Sequence, residues 1–167
     1  NFGEIGAKMI STLLINFSSF DNILDAELDE LSKIPRLSEE RSRKIISVRY
    51  RLQEAEEELD RIASAGIKMT GLFQKDYPPK LMKLVDPPPL IYYRGELPDY
   101  NRPAIAVVGT THATEDGIAS AVNIGKILAE RGIGVISGLA AGIDASAHLG
   151  SLSNSGYTAG VLGSGIF

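Results

Sequence analysis

The chain has 167 residues, 44% of them apolar, which is room for one ordinary domain or a small domain plus part of another, and enough to pack a core. Its net charge of −4 argues against coating nucleic acid through bulk charge, so any such contact must be concentrated in one place. Cysteine is absent, which excludes disulfides and thiolate metal sites, and no apolar run reaches the length of a membrane span. This fits a cytoplasmic protein with no membrane partner. No basic-then-apolar leader opens the chain, and it starts at Asn1 without methionine, which fits a fragment.

Residues 1–65 read as a small all-helical domain. Ile5, Met9, Leu13 and Leu14 make one apolar stripe, and Ile23, Leu24, Leu28 and Leu31 make another. Asp21 and Ser38 are candidate N-caps. A weak repeat lays Phe2–Leu14 on Ile34–Ile46, so that Ile5 matches Leu37, Gly6 matches Ser38, and Leu13-Leu14 match Ile45-Ile46. Each copy is a tight turn followed by a helix. This resembles a tandem helix-hairpin-helix (SAM-like) unit, whose hairpin glycine presents backbone N–H groups to a nucleic-acid phosphate. Arg36 and Ser38 stand where that motif prefers glycine. A small helical packing module accounts for the same pattern. Arg41 to about Ala65 then reads as one long helix ending at Gly66, with Glu57 and Arg61 as an i,i+4 pair. Its basic half precedes its acidic half, the reverse of what the helix dipole favours.

Strand patterns begin at Ile67. Ile67–Leu72 alternates as a strand, Tyr77-Pro78-Pro79 and Asp86-Pro87-Pro88-Pro89 punctuate the chain, and Leu90–Arg94 is a second strand ended by Gly95. Tyr92 and Tyr93 point to opposite faces, so one packs while the other is exposed. Residues 66–167 as a whole are expected to form one α/β domain. In its second part strands alternate with helices: Ala104–Val108, a helix over Glu115–Arg131, Gly134–Ser137, a loop and short helix to about Leu152, and Thr158–Leu162. Ile118, Ala121, Val122, Ile124, Ile127 and Leu128 are the expected inward face of the first helix. This order predicts a parallel sheet with right-handed crossovers.

In such a sheet the strands end on one edge, where ligands bind. All three ends carry glycines and hydroxyls, which predicts an anion-binding cleft built from Gly109, Thr110, Thr111, Ser137, Gly138, Ala140, Gly142, Gly163, Ser164 and Gly165. No G-x-G-x-x-G and no Gly-Lys-Ser/Thr P-loop occurs, so no nucleotide cofactor is expected. Asp144 and His148 lie four apart on one helix face. They could be a metal pair or an acid–base couple, but without a third ligand a structural role is favoured, and no metal or catalytic residue is assigned. His112 stands alone in its loop, either as a ligand contact or as a solvated side chain.

Ser137-Gly-Leu-Ala-Ala-Gly-Ile-Asp-Ala-Ser-Ala-His148 resembles the signature of the DNA processing protein A family (DprA, also called Smf). Tyr77-Pro78 with Leu81, the run Asp86–Gly95, Val108-Gly109-Thr110 and Thr158–Gly165 resemble its other marks, in the same order. The resemblance implies an extended Rossmann-like domain, incomplete here at its C-terminal side, behind a small helical domain. It implies a non-enzymatic protein of natural transformation and recombination. Such a protein binds single-stranded DNA, helps load a RecA-type recombinase and forms a homodimer at full length. Three positions depart from the family: Thr111 and Ala141 replace arginines, and Leu149 replaces a residue that is often basic. Arg102, Lys126 and Arg131 are the only basic residues after Tyr100, and none lies on a cleft loop. The chain stops at Phe167, before the family's later strands and its dimer and recombinase surfaces, so an open sheet edge should be hard to stabilise alone. Two alternatives stand beside this reading. One is a Rossmann-like enzyme hydrolysing nucleoside monophosphates, although the glycine-rich glutamate motif of those enzymes is missing. The other is a protein-binding scaffold.

Overall fold

A computed structural model describes residues 5–167; the opening of the first repeat copy, residues 2–4, lies outside them. The chain divides into two compact units, Asn1–Gly95 and Glu96–Phe167. The ribbon that follows the helices therefore clusters with the first unit, beyond the boundary read after residue 65.

The first unit begins with α1 (Ala7–Phe17), α2 (Phe20–Asp25), α3 (Leu28–Leu31) and α4 (Glu39–Ser47). Leu13, Leu14, Ile23, Ala26, Leu31, Ile34, Leu37 and Ile45 bury one core, with Ile5, Met9, Ile10, Phe17 and Ile46 against it. The apolar positions matched by the repeat thus meet in a single cluster. The matched Gly6 and Ser38 also share a role. Gly6 is the N-cap of α1 with φ −71° and ψ 167°, and Ser38 is the N-cap of α4 with φ −73° and ψ 154°. Neither conformation needs glycine. The left-handed backbone that does favour glycine falls two residues earlier, on Arg36, with φ 66°. Ser38 Oγ accepts the Arg41 N–H, as an N-cap should. Asp21 does not cap α2. Ser19 does, accepting from Asn22 N–H, and Asp21 sits in the first turn, where its charge suits the dipole.

The long helix expected from Arg41 is broken. Val48–Arg51 forms a 3-10 turn before α5 (Leu52–Ser64). The Arg49 guanidinium donates to the carbonyls of Leu24 and Ala26, the latter at 2.6 Å, so this turn is tied to the end of α2. Of α5 only Ile62 is buried, and Arg61 pairs with Glu58 at 2.8 Å. β1 (Lys68–Gly71) and β2 (Leu90–Tyr93) form an antiparallel ribbon with Lys68 opposite Tyr93 and Gly71 opposite Leu90. Tyr93 is half-buried with the Lys68 ammonium 5.9 Å from its ring centre, while Tyr92 on the other face is exposed.

The second unit is the α/β part. β3 (Ala104–Ala106), β4 (Gly134–Ser137) and β5 (Thr158–Gly160) form a parallel sheet in the order β3-β4-β5, with α6 (Glu115–Glu130) and α7 (Ile143–Ser153) as the intervening helices. This is the expected portion of a Rossmann-like fold. Its core is Leu128, Val135 and Ala147, with Val107 and Ile133 against them. α6 and α7 cross closely: a Cβ on Gly125 would lie 2.3 Å from the Ala147 carbonyl oxygen, and one on Gly150 only 2.1 Å from that of Val122. Ala121, Gly125 and Leu128 make the buried face of α6, whereas Ile118, Ile124 and Ile127, expected to point inward, are exposed. The apolar arc of α6 is wider than the surface that α7 and three strands offer it. No helix among the described residues is long and apolar enough to cross a membrane.

Arg36→Gly should stabilise the first unit by about 1 kcal/mol, because it relieves a left-handed backbone that costs a side-chain-bearing residue roughly that much. Urea unfolding monitored by helical circular dichroism checks this, and an unchanged midpoint would contradict it.

Candidate functional site

The three predicted loops do lie at the C-terminal ends of the parallel strands of the second unit, as the topology requires. The contacts inside the edge are more specific than a row of glycine turns. The buried Asp144, in the first turn of α7, accepts the N–H of Gly109 through Oδ1 at 3.1 Å and that of Gly138 through Oδ2 at 3.0 Å. One carboxylate thereby joins the loop after β3, the loop after β4 and the helix that follows. Burial by itself raises the Asp144 pKa. The backbone N–H donors of the surrounding loops, Gly109 first, outweigh it and hold the group below the ordinary aspartate range. The buried Ser137 reaches back to the Val107 carbonyl at 2.5 Å, a further stitch between β4 and the end of β3.

Backbone packing makes this arrangement tight. A Cβ on Gly138 would lie 2.8 Å from the Asp144 carboxylate, and one on Gly109 2.7 Å from the Ile143 side chain. Gly142, at φ 81°, sits against the backbone oxygens of Thr110 and Thr111, and the Ile143 N–H donates to the Thr110 carbonyl at 3.2 Å. Leu139 is left-handed as well, at φ 58°. Glycine at 109, 138 and 142 is therefore demanded by loop-on-loop contact.

The predicted site residues thus separate into two groups. Gly109, Ser137, Gly138 and Ala140 surround Asp144: the two glycine N–H groups serve the protein's own carboxylate, and the Ser137 hydroxyl serves the Val107 carbonyl. The Gly109 and Gly138 amides are thus turned inward, on residues expected to line the anion-binding cleft. The N–H groups of Thr110, Thr111 and Gly142 have no partner among the described residues. Thr110 Oγ1 accepts from His112 N–H at 3.2 Å, and Thr111 Oγ1 lies 3.0 Å from His112 Nδ1, which gathers two hydroxyls and an imidazole on the exposed outer side of the first loop. Gly163, Ser164 and Gly165 are exposed, with open space beside both glycines.

His148 shares the buried face of α7 but does different work. Thr158 Oγ1 donates to the Val135 carbonyl, so it accepts from His148 Nδ1, with which it is in close contact. That chain places the imidazole proton on Nδ1. Nε2 is buried and has no partner among the described residues. Burial lowers the His148 pKa, and the nearby Asp144 charge only partly opposes this, so the ring is neutral. Both side chains are committed to structural bonds, and no cluster of three or more metal-ligating residues occurs among the described residues. The charge of this unit is unfavourable to an anion. Residues 96–167 hold Arg102, Lys126 and Arg131 against Glu96, Asp99, Glu115, Asp116, Glu130 and Asp144, and none of the three cations is on a strand-end loop.

Residues 68–167 match the sequence profile of the family DNA recombination-mediator protein A. The chain belongs to this family. Protein Smf of Synechocystis is 30% identical over 97% of the chain and 42% of its own length. DNA processing protein DprA of Streptococcus pneumoniae is 38% identical over 54% of the chain and 32% of its own length. The crystal structure of DprA from the same organism superposes with a TM-score of 0.65 at 23% identity, covering 92% of this chain and 53% of that one, which shows a shared fold. The chain therefore spans about half or less of the length of these DprA and Smf relatives. The matched segment starts close to the boundary read after residue 65, whereas compactness divides the chain after Gly95. Sequence reasoning recognised the motif that contains Asp144 but missed its clamp. A lone aspartate in a first helical turn looks like any cap until the two loops are seen beside it.

Asp144→Asn turns one accepting oxygen into an NH2 that faces a backbone N–H, and it should lower Tm by several degrees in a thermal scan while leaving helical content intact below the transition. His148 sets a separate pH dependence. Its folded pKa lies below its unfolded value, so its contribution is complete above about pH 6.5 and is lost as pH falls toward the folded pKa. His148→Asn keeps a donor for Thr158 and should flatten the fall in stability as pH drops below about 6.5. Denaturant midpoints measured across that range check it.

Proposed function

We propose that this chain is part of a single-stranded DNA-binding protein that acts in DNA processing during transformation. Membership of the recombination-mediator family supports the DNA-processing role, as do relatives named DNA processing protein DprA. The observation that carries the binding reading is the outer layer of the strand-end loops. The free N–H groups of Thr110, Thr111 and Gly142 and the neighbouring hydroxyls lie on a frame held still by Asp144. Donors fixed in this way suit phosphate oxygens. In this reading Gly109, Ser137, Gly138 and Ala140 hold the frame, and Thr110, Thr111, Gly142, Gly163, Ser164 and Gly165 meet the strand. Recombinase contact and dimerisation are proposals for the whole protein, as are a cytoplasmic site of action, the absence of catalysis and the domain boundary after residue 65.

The full-length protein should bind labelled oligo-dT more tightly than duplex of the same length, with affinity falling as salt rises. Thr111→Arg adds a cation beside the free amides, so it should tighten binding and steepen the log–log salt slope by about 0.7 for a single strand. Fluorescence anisotropy across salt concentrations reads both quantities. No oligo-dT binding at low salt would overturn the reading.

A further inference from the structure

The cations of this chain are unevenly spread. Residues 67–95 hold Lys68, Lys75, Lys80, Lys83 and Arg94 against Asp76 and Asp86, a net charge of +3 in a chain whose total is −4. In the helices, Arg43, Lys44, Arg51 and Arg61 each form an ion pair with a glutamate on the same helix or the adjoining turn, and Arg49 binds backbone carbonyls, while Lys8, Lys33, Arg36 and Arg41 have no side-chain partner among the described residues. Lys75, Lys80, Lys83 and Arg94 are exposed, and their charged heads have no partner among the described residues. An unpaired cation on a surface is available to an external anion without first breaking an internal bond.

The loop between β1 and β2 that carries three of these lysines is pinned from inside. Tyr77 is 2% exposed and donates its hydroxyl to the Pro88 carbonyl at 2.6 Å. Leu72 N–H donates to the Pro89 carbonyl at 3.0 Å, which closes the two ends of the loop against each other. Thr70, fully buried, donates to Asp76 at 2.6 Å, so one of the two acids in this segment is turned to an internal use. The Tyr-Pro and Asp-Pro-Pro-Pro stretches are therefore the anchors of an ordered loop. Apart from a 3-10 turn at Leu81–Lys83 the connection is irregular; a long irregular connection is usually functional or disordered, and the internal bonds favour the first. Its outer side chains are apolar and aromatic as well as basic: Phe73 is 60% exposed and Tyr92, on the adjoining strand, 45%.

Cations interleaved with exposed aromatic rings fit one class of partner. Phosphates take the charges, and unstacked bases take the ring faces, which a closed duplex cannot offer. The strand-end loops make the need for such a surface plain, since they carry no lysine or arginine and their inner donors are spent on Asp144. We infer that residues 72–94 form a contact surface for single-stranded DNA separate from the strand-end loops. Phe73 and Tyr92 stack on bases, and Lys75, Lys80, Lys83 and Arg94 neutralise phosphates. This rests on the DNA-binding reading proposed above and locates most of its electrostatic component.

The test uses the full-length protein and fluorescent oligo-dT. Changing Lys75→Ala, Lys80→Ala and Lys83→Ala together should weaken binding by about tenfold or more at low salt and make the log–log salt slope shallower by about 2, given roughly 0.7 per phosphate contact on a single strand. These side chains are exposed and unpaired, so the variant should keep the wild-type Tm. Lys126→Ala with Arg131→Ala, on α6, should leave affinity and slope unchanged. Photoreactive thymidine in the oligonucleotide should crosslink at Phe73 or Tyr92. If the wild type binds and the triple variant matches it in affinity and slope, or if crosslinks fall only within Glu96–Phe167, this surface is overturned while the DNA-binding reading stands. If the wild type binds no oligo-dT, both fall.

Discussion

The Asp144 carboxylate is the interaction on which the strand-end geometry of the second unit depends. Its two oxygens take one backbone N–H from the loop after β3 and one from the loop after β4. An aspartate held in this way is a fixed internal anion in the place where a Rossmann-like edge would otherwise offer donors to a ligand. The close glycine contacts follow from it. Side chains at 109, 138 or 142 would push apart the loops that the carboxylate draws together. Asp144 and His148 are both held by the fold. Each already has a bond that the fold uses: Asp144 to two loops, and His148 to Thr158 and through it to Val135.

A clamp of this kind has an electrostatic consequence. A negative group at the centre of the loops, in a unit that already carries more acids than bases, discourages a polyanion from relying on that edge alone. Backbone amides and threonine hydroxyls orient phosphate but neutralise none of its charge, and affinity for nucleic acid comes largely from neutralisation. Lys75, Lys80, Lys83 and Arg94, in the loop and ribbon of the first unit, are exposed and without a partner among the described residues.

The helical part shows how much of its pattern serves packing. Both repeat copies start a helix at matched positions with nearly the same backbone angles, and their apolar residues meet in one core. The glycine-like conformation sits on Arg36, and the cations of α4 and α5 that form ion pairs do so with glutamates three or four residues away. The unusual charge order of the expected long helix is resolved by the break at Val48–Arg51, because α4 and α5 are separate helices. α4 has acids in its first turn and a base in its last, as the dipole favours.

What the sequence determined by itself was the alternation of strands and helices, the parallel sheet, the family and the edge on which the glycine loops gather. These follow from local periodicity, turn chemistry and contiguous motifs, all of which are written along the chain. It also carried the apolar positions of the helical core, since a stripe at helical spacing has one way to be buried. It did not carry the exposure of Ile118, Ile124 and Ile127, because how much of an apolar arc is covered depends on how many neighbours arrive. Nor did it carry the break in the long helix, which depends on Arg49 reaching carbonyls more than twenty residues away. Only the tertiary structure decided the use of the cleft amides. Whether a backbone N–H is open to a phosphate or spent on a carboxylate depends on which side chain from a distant helix turn comes within 3 Å of it, and spacing along the chain does not encode that distance.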